Sequence, residues 1–335
     1  MNITYLIGNG FDLNLRLKTK YSHFYTHFLE ENQKNIGTIN LKKAIEKDVE
    51  DWSDFEKRFG KFTEEFEENS KGITEFNKTY IDVVNSLSSY LKGIEESLDF
   101  NLIDKDKFIN DIINIESFLQ DRDKRNINRF KSKFNANPIT INFITFNYTE
   151  IIEKIIGDRT SNLPIGKTRN GKNINISTIN HIHGYLNKRM IIGVNDETQI
   201  FNDFFKNDNR IKYNLIKTIS NRISKELIEE SCINKINQAQ IICLFGLSYG
   251  KTDLKWWELI VNQLNRDCRL IIFHHEPQNI HPLIPSERTL VEENVKNQFY
   301  SLSKISEDKI KSFDEKIIVS VNNNNFFKLS IDANV

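Results

Sequence analysis

An α/β fold built on a mostly parallel sheet is predicted by three features of this 335-residue chain. An apolar, β-prone run at positions 3–7 opens directly into Gly8-Asn9-Gly10. Short apolar runs separated by helical stretches follow Pro138, as expected of strands buried on both faces. Between these zones, residues 40–135 carry apolar side chains at steps of three and four, the period of amphipathic helices.

Strand 3–7 ends in glycines, which let the chain turn tightly and let a ligand approach where a Cβ would collide. Gly8, Asn9 and Gly10 are therefore candidate phosphate-loop residues, although Leu13 stands where the full dinucleotide fingerprint has a third glycine. Thr19 or Ser22 is placed to cap a helix to about Glu31. Leu41, Ile45, Trp52, Phe55, Phe59 and Phe66 then fall on one face of a long helix, and Phe76, Tyr80, Leu87 and Leu91 on another. Phe108, Ile112, Ile115 and Leu119 repeat the pattern.

Beyond Pro138 the runs 139–146, 176–183, 190–194, 241–245 and 270–274 read as strands. Helical stretches are expected at 211–237 and 252–265, and 317–321 with 326–331 as a closing hairpin across the turn at 322–325. The implied organisation is a core of residues 1–35 and 136–335 and a helical insertion of 36–135.

In parallel α/β sheets ligands sit beyond the carboxyl ends of the strands. Polar and glycine residues collect there: Gly8 to Asp12, then Thr145, Asn147 and Thr149, then His183-Gly184, then Gly193, then Gly246 and Ser248. A shared site at that edge follows.

Composition removes several alternatives. Acidic and basic residues balance at 46 each, so no global field draws the chain to nucleic acid or an anionic membrane. Cys232, Cys243 and Cys268 form no CxxC pair, which argues against a zinc ribbon or disulfide framework and fits a reducing cytoplasm. A strand at the very start leaves no room for a signal peptide, and no apolar run reaches membrane-spanning length.

Several short motifs occur in a telling order: Gly8-Asn9-Gly10-Phe11-Asp12-Leu13, Leu17-x-Thr19-x-Tyr21-Ser22-x-Phe24, Trp52-x-Asp54-Phe55-Glu56, Thr145-Phe146-Asn147-Tyr148, His181-Ile182-His183-Gly184, and Phe245-Gly246-x-Ser248-x-Gly250-x-Thr252-Asp253. From residue 3 to about 253 the set resembles the AbiH family of bacteriophage abortive-infection proteins. More distantly it resembles the sirtuin-like fold, a Rossmann-type NAD-binding sheet. That likeness implies phosphate contacts at Gly8 and Gly10, Thr145 and Asn147 beside the nicotinamide ribose, His183 as catalytic histidine, and Gly246 and Ser248 on the adenosine side. The chain departs from sirtuins at Asp12 (serine there), at Thr149 (aspartate there) and in lacking zinc cysteines. Protein deacetylation is not expected.

The residues themselves support a similar ranking. His183, at a strand end before glycine, can present an imidazole to a cleft, or else order the turn. Asn147 offers an acceptor and two donors to a ribose hydroxyl or a water, or closes an Asx turn. Asp12 would repel phosphate unless it caps the segment from Leu13, binds ribose or holds a metal. Glu56 shares a helix face with Trp52, where a carboxylate must be used or paired, whereas Asp54 is expected in solvent. His181 alternates with His183 and reads as structural. Gly246-x-Ser248-x-Gly250 could imitate a nucleophile elbow, with His274, His275 or His281 and Asp253 or Asp267 downstream. The same histidines lack the partners of a metal site.

Two functions remain open on these grounds. One is a nucleotide hydrolase releasing nicotinamide from NAD on infection, held inactive until a phage-derived trigger arrives. The other is a non-catalytic nucleotide-binding sensor or toxin acting through a partner or a homo-oligomeric assembly.

Overall fold

The structure, a computed structural model, describes residues 1–50, 54–157, 162–186, 188–248, 253–281, 283–303, 305 and 307–330. Nine strands are described: β1 (Asn2–Ile7), β2 (Ile139–Thr145), β3 (Leu163–Lys167), β4 (Asn173–His181), β5 (Gly184–Tyr185), β6 (Arg189–Met190), β7 (Ile241–Phe245), β8 (Arg269–His274) and β9 (Ile317–Val321). Seven form one sheet in the order β3-β4-β2-β1-β7-β8-β9. Every neighbouring pair is parallel except β3 with β4. Numbering only the parallel strands along the chain gives 3-2-1-4-5-6, the order of doubly wound dinucleotide-binding sheets. The order reverses between β1 and β7, so the loops after those strands flank the switch point.

Alternation along β1 divides the core. Ile3, Tyr5 and Ile7 enter one cluster with Phe143, Cys243 and Ile271, while Leu6 enters the opposite one with Ile242, Leu244 and Trp257. A short helix α1 (Gly10–Asn14) follows β1, and then α2 (Tyr21–Glu30), α3 (Ile36–Lys47), α4 (Phe55–Phe62) and α5 (Ser70–Glu96). Helices α2 to α5 build a third cluster with Leu186, Ile192, Val194, Phe205 and Leu215, forming a helical lobe. Helices α6 (Lys105–Ile113) and α7 (Asp121–Ser132) instead pack on the sheet through Phe108, Ile112, Ile127 and Phe130. Packing thus splits the 36–135 segment between two cores. Helix α8 (Ile151–Ile156) follows β2, and α9 (Asn209–Leu215), α10 (Lys217–Ile223) and α11 (Ile228–Asn237) precede β7. Then α12 (Leu254–Leu264) and α13 (Pro285–Leu302) cover the second face.

Several local expectations are corrected. The long helix over 41–66 is two helices, because Asp54 caps α4 by accepting the Lys57 amide. Trp52 lies outside the described residues. Residues 190–194 do not join the main sheet. Arg189–Met190 pairs with β5, and Val194 exchanges backbone hydrogen bonds with Leu215 and Lys217. The hairpin after 317–321 is absent: β9 pairs parallel to β8, and Phe326 and Phe327 turn into the core against Phe273 and Phe245. Burial of two adjacent aromatic rings outweighs strand pairing there. Neither Thr19 nor Ser22 caps α2, whose N-cap is Lys20; Thr19 donates to the Asn9 side chain instead.

Candidate functional site

The loops after β1 and β7 meet at the switch point. The Gly8 and Gly10 amides donate to the Phe245 and Gly246 carbonyls, each at 2.9 Å. A Cβ on Gly10 would strike the Gly246 backbone, and Gly246 itself has φ +68°. The glycines are required first for this loop-on-loop contact. Asn9 is held through Thr19, its Nδ2 donating to the Thr19 carbonyl at 3.0 Å and its Oδ1 accepting from the Thr19 hydroxyl at 2.6 Å. Ser248 is exposed, and Tyr249, Gly250 and Thr252 lie outside the described residues. Gly184, at φ +76°, lies against the Arg189 carbonyl, and Gly193 lies against that of Leu215.

Asp12 does not cap the Leu13 segment. It lies inside α1 and is 1% exposed. Its Oδ1 accepts from Asn147 Nδ2 at 3.0 Å and its Oδ2 from Thr149 Oγ1 at 2.7 Å. Burial pushes its carboxyl up to about 7, against the lowering effect of those two hydrogen bonds. Thr145 is committed to the turn, its hydroxyl accepting the Asn147 amide at 3.1 Å. His181 closes this side. Its Nδ1 is 3.0 Å from the Asn147 carbonyl and its Nε2 2.6 Å from Glu153 Oε1. A carbonyl can only accept, so Nδ1 carries the ring proton in that contact.

Two residues further on, His183 belongs to a different group. It is 5% exposed and packs edge-on against Phe146, with centroids 5.4 Å apart. Its Nε2 lies 3.6 Å from Asp253 Oδ1, within ion-pair reach. Lys217, 4% exposed, places Nζ 2.7 Å from Glu56 Oε2 and 3.5 Å from Asp253 Oδ1. These are ionic contacts rather than well-aligned hydrogen bonds. The two carboxylates hold the Lys217 ammonium above its usual value despite burial, and Lys217 and His183 hold Asp253 down at about 2. Tyr148 completes the wall, donating to the Ile191 carbonyl at 2.8 Å with its hydroxyl 3.5 Å from Glu56.

The fold brings three charged side chains together near His183 from distant segments. Glu56 comes from the first turn of α4, where the helix N-terminus favours an acid. Lys217 opens α10, held by the Val194 carbonyl through its own amide at 2.9 Å. Asp253 precedes α12 without capping it, its side chain spent on the cluster. Sequence reasoning did not select Lys217, which no periodicity marks. Asp253 was legible only as part of the Thr252-Asp253 motif or as an esterase acid. Of the residues it did select, Asn147 and Asp12 are in contact, and Glu56 reaches His183 only through Lys217 and Asp253. Among the described residues no group of three or more His, Cys, Asp or Glu could hold a metal.

Fold and site together define a doubly wound α/β protein whose polar centre lies at the carboxyl edge of its sheet. The family model described as bacteriophage abortive infection AbiH matches residues 4–274. The chain belongs to the AbiH family, and that membership supports a role in anti-phage abortive infection. No curated protein matches the chain. Among the described residues no helix is long and apolar enough to cross a membrane.

Proposed function

We propose that the chain binds NAD, or a related nucleotide, at this edge and hydrolyses its N-glycosidic bond during infection. The observation that carries the reading is the ion-pair chain from Glu56 through Lys217 and Asp253 to His183, at the same sheet edge as the turn that holds Asn147. With His183 neutral, Glu56, Asp253 and Lys217 leave one net negative charge, which suits the oxocarbenium-like cation formed as nicotinamide departs. Water adds to the ribose C1′, the C–N bond pair leaves with nicotinamide, and the water's second proton passes to His183. Asp253 favours the resulting imidazolium.

A second reading has its own support. The Gly8 and Gly10 amides are already donated to carbonyls, so the loop offers less to a phosphate than an open glycine loop does. A nucleotide held without such a cradle is less firmly placed for bond cleavage, which makes a nucleotide-gated sensor without turnover the second reading. Incubating the purified chain, alone and from infected cells, with NAD separates the two. Nicotinamide release abolished by His183→Ala, and cut severely but still measurably by Asn147→Ala, supports hydrolysis. Nucleotide binding without release supports the sensor.

A further inference from the structure

Asp12 sits at the turn where a phosphate loop would ordinarily avoid a carboxylate, yet it faces inward. It is 1% exposed, and both oxygens are engaged by side chains that follow β2. A carboxylate presents only acceptors, so the Asn147 amide must turn its NH2 towards Asp12. That leaves Asn147 Oδ1 as the opposite end of the group, with no hydrogen-bond donor to it among the described residues. The backbone of the same residue is fixed independently, its amide donating to Thr145 Oγ1 and its carbonyl lying 3.0 Å from His181 Nδ1. With the main chain held, the side-chain amide has its orientation left to be set, and its contact with Asp12 sets it.

We infer that Asp12 is a positioning residue for Asn147, locking the amide so that Oδ1 is the acceptor offered to a hydroxyl donor of the substrate. Resting on the NAD-hydrolysis reading, this identifies the donor as a ribose hydroxyl or the attacking water. The arrangement tolerates either protonation state of Asp12. The Thr149 hydroxyl both donates and accepts, so a proton on Oδ2 finds a partner while Oδ1 still takes the Asn147 NH2. In Asp12→Asn the carboxamide can instead donate to Asn147 Oδ1, and the Asn147 amide can turn over.

Two measurements on the full-length chain test this. Nicotinamide release from NAD is compared for wild type, Asp12→Asn, Asn147→Ala and the double variant. A positioning role predicts a kcat loss of about 10- to 100-fold for Asp12→Asn alone and no further loss in the Asn147→Ala background. Independent losses that multiply in the double variant overturn the inference, since a merely structural aspartate would act without Asn147. The second readout needs no activity: the side-chain amide signals of 15N-labelled Asn147 in the wild type. One strongly shifted, exchange-protected Nδ2 proton, lost in Asp12→Asn, is expected. Two freely exchanging protons in the wild type sink the proposal whether or not the variant folds. Wild type that releases no nicotinamide but keeps the protected proton refutes hydrolysis and leaves the Asp12–Asn147 lock standing.

Discussion

The turn after β2 and the cluster around His183 share one sheet edge and treat their aspartates in opposite ways. Asp12 is buried with neutral hydrogen-bond donors, and burial pushes it up to about 7. Asp253 is half-buried beside the Lys217 ammonium, which with the hydrogen-bonding imidazole of His183 holds it near 2. Asp12 is the more deeply buried, at 1% exposure against 16% for the Asp253 side chain, but the direction of each shift follows the charge of the partner. Environments that drive neighbouring titratable groups apart are how a site assigns proton donors, acceptors and fixed charges. On that logic Asp253 is the permanent anion, and Asp12 belongs to the supporting frame.

The largest effect should come from breaking the ionic side. Lys217→Met leaves Glu56 and Asp253 buried without their cation and should cost about 3–5 kcal/mol in urea denaturation. Adding Glu56→Leu to that variant should recover part of the loss; no recovery would mean that the pair is not coupled. The hydrogen-bonded side should respond to pH instead. Unfolded, Asp12 ionises near 3.8, whereas folded it keeps its proton to about 7. The folded state therefore binds the extra proton in that window and loses about 4 kcal/mol of stability as pH rises from about 4 to 7. Asp12→Asn should remove that slope, and thermal unfolding across the window reads it directly.

Asp253 has the reverse sign and a smaller size. Its depressed value contributes about 2 kcal/mol above pH about 4, lost as pH falls towards 2, so Asp253→Asn should make the protein less sensitive to acid. The smallest expected effect lies outside both networks. Asp54→Ala removes the α4 N-cap and should cost about 1 kcal/mol. Because α4 carries Glu56, nicotinamide release should fall only as far as that helix frays. A loss as large as that of His183→Ala would mean that Asp54 belongs to the site itself.

Much of this was legible in the sequence, unevenly. The run at 241–245 is unbroken, and those at 3–7 and 139–146 are largely apolar, interrupted by Thr4 and by Thr140, Asn142 and Thr145. That is enough to recognise parallel strands buried on both faces. Residues 190–194 look equally apolar, but Met190 and Ile191 bond back to Gly184 and His183, and Val194 to Leu215 and Lys217, far along the chain. Phe326-Phe327 reads as β-prone until the rings find Phe273 and Phe245. Glu56 could be flagged as an acid on a core face, yet its partner lies in another helix. Asp12 was visible as an anomaly in a glycine loop, but capping was not its role, and the side chains it bonds, Asn147 and Thr149, could not be read from its neighbours.

The local pattern of apolar runs and glycines thus determined the sheet, its mostly parallel sense and the edge where polar residues gather. Those features depend on periodicity and on what each strand end can tolerate, which neighbouring residues encode. Tertiary structure alone decided which charges meet. A buried ion is stable only beside its counter-ion, and here Lys217, Glu56 and Asp253 come from three separate helices or their ends. It likewise turned Asp12 from the ligand side of its loop to Asn147 and Thr149, because the carboxylate's donors follow a different strand.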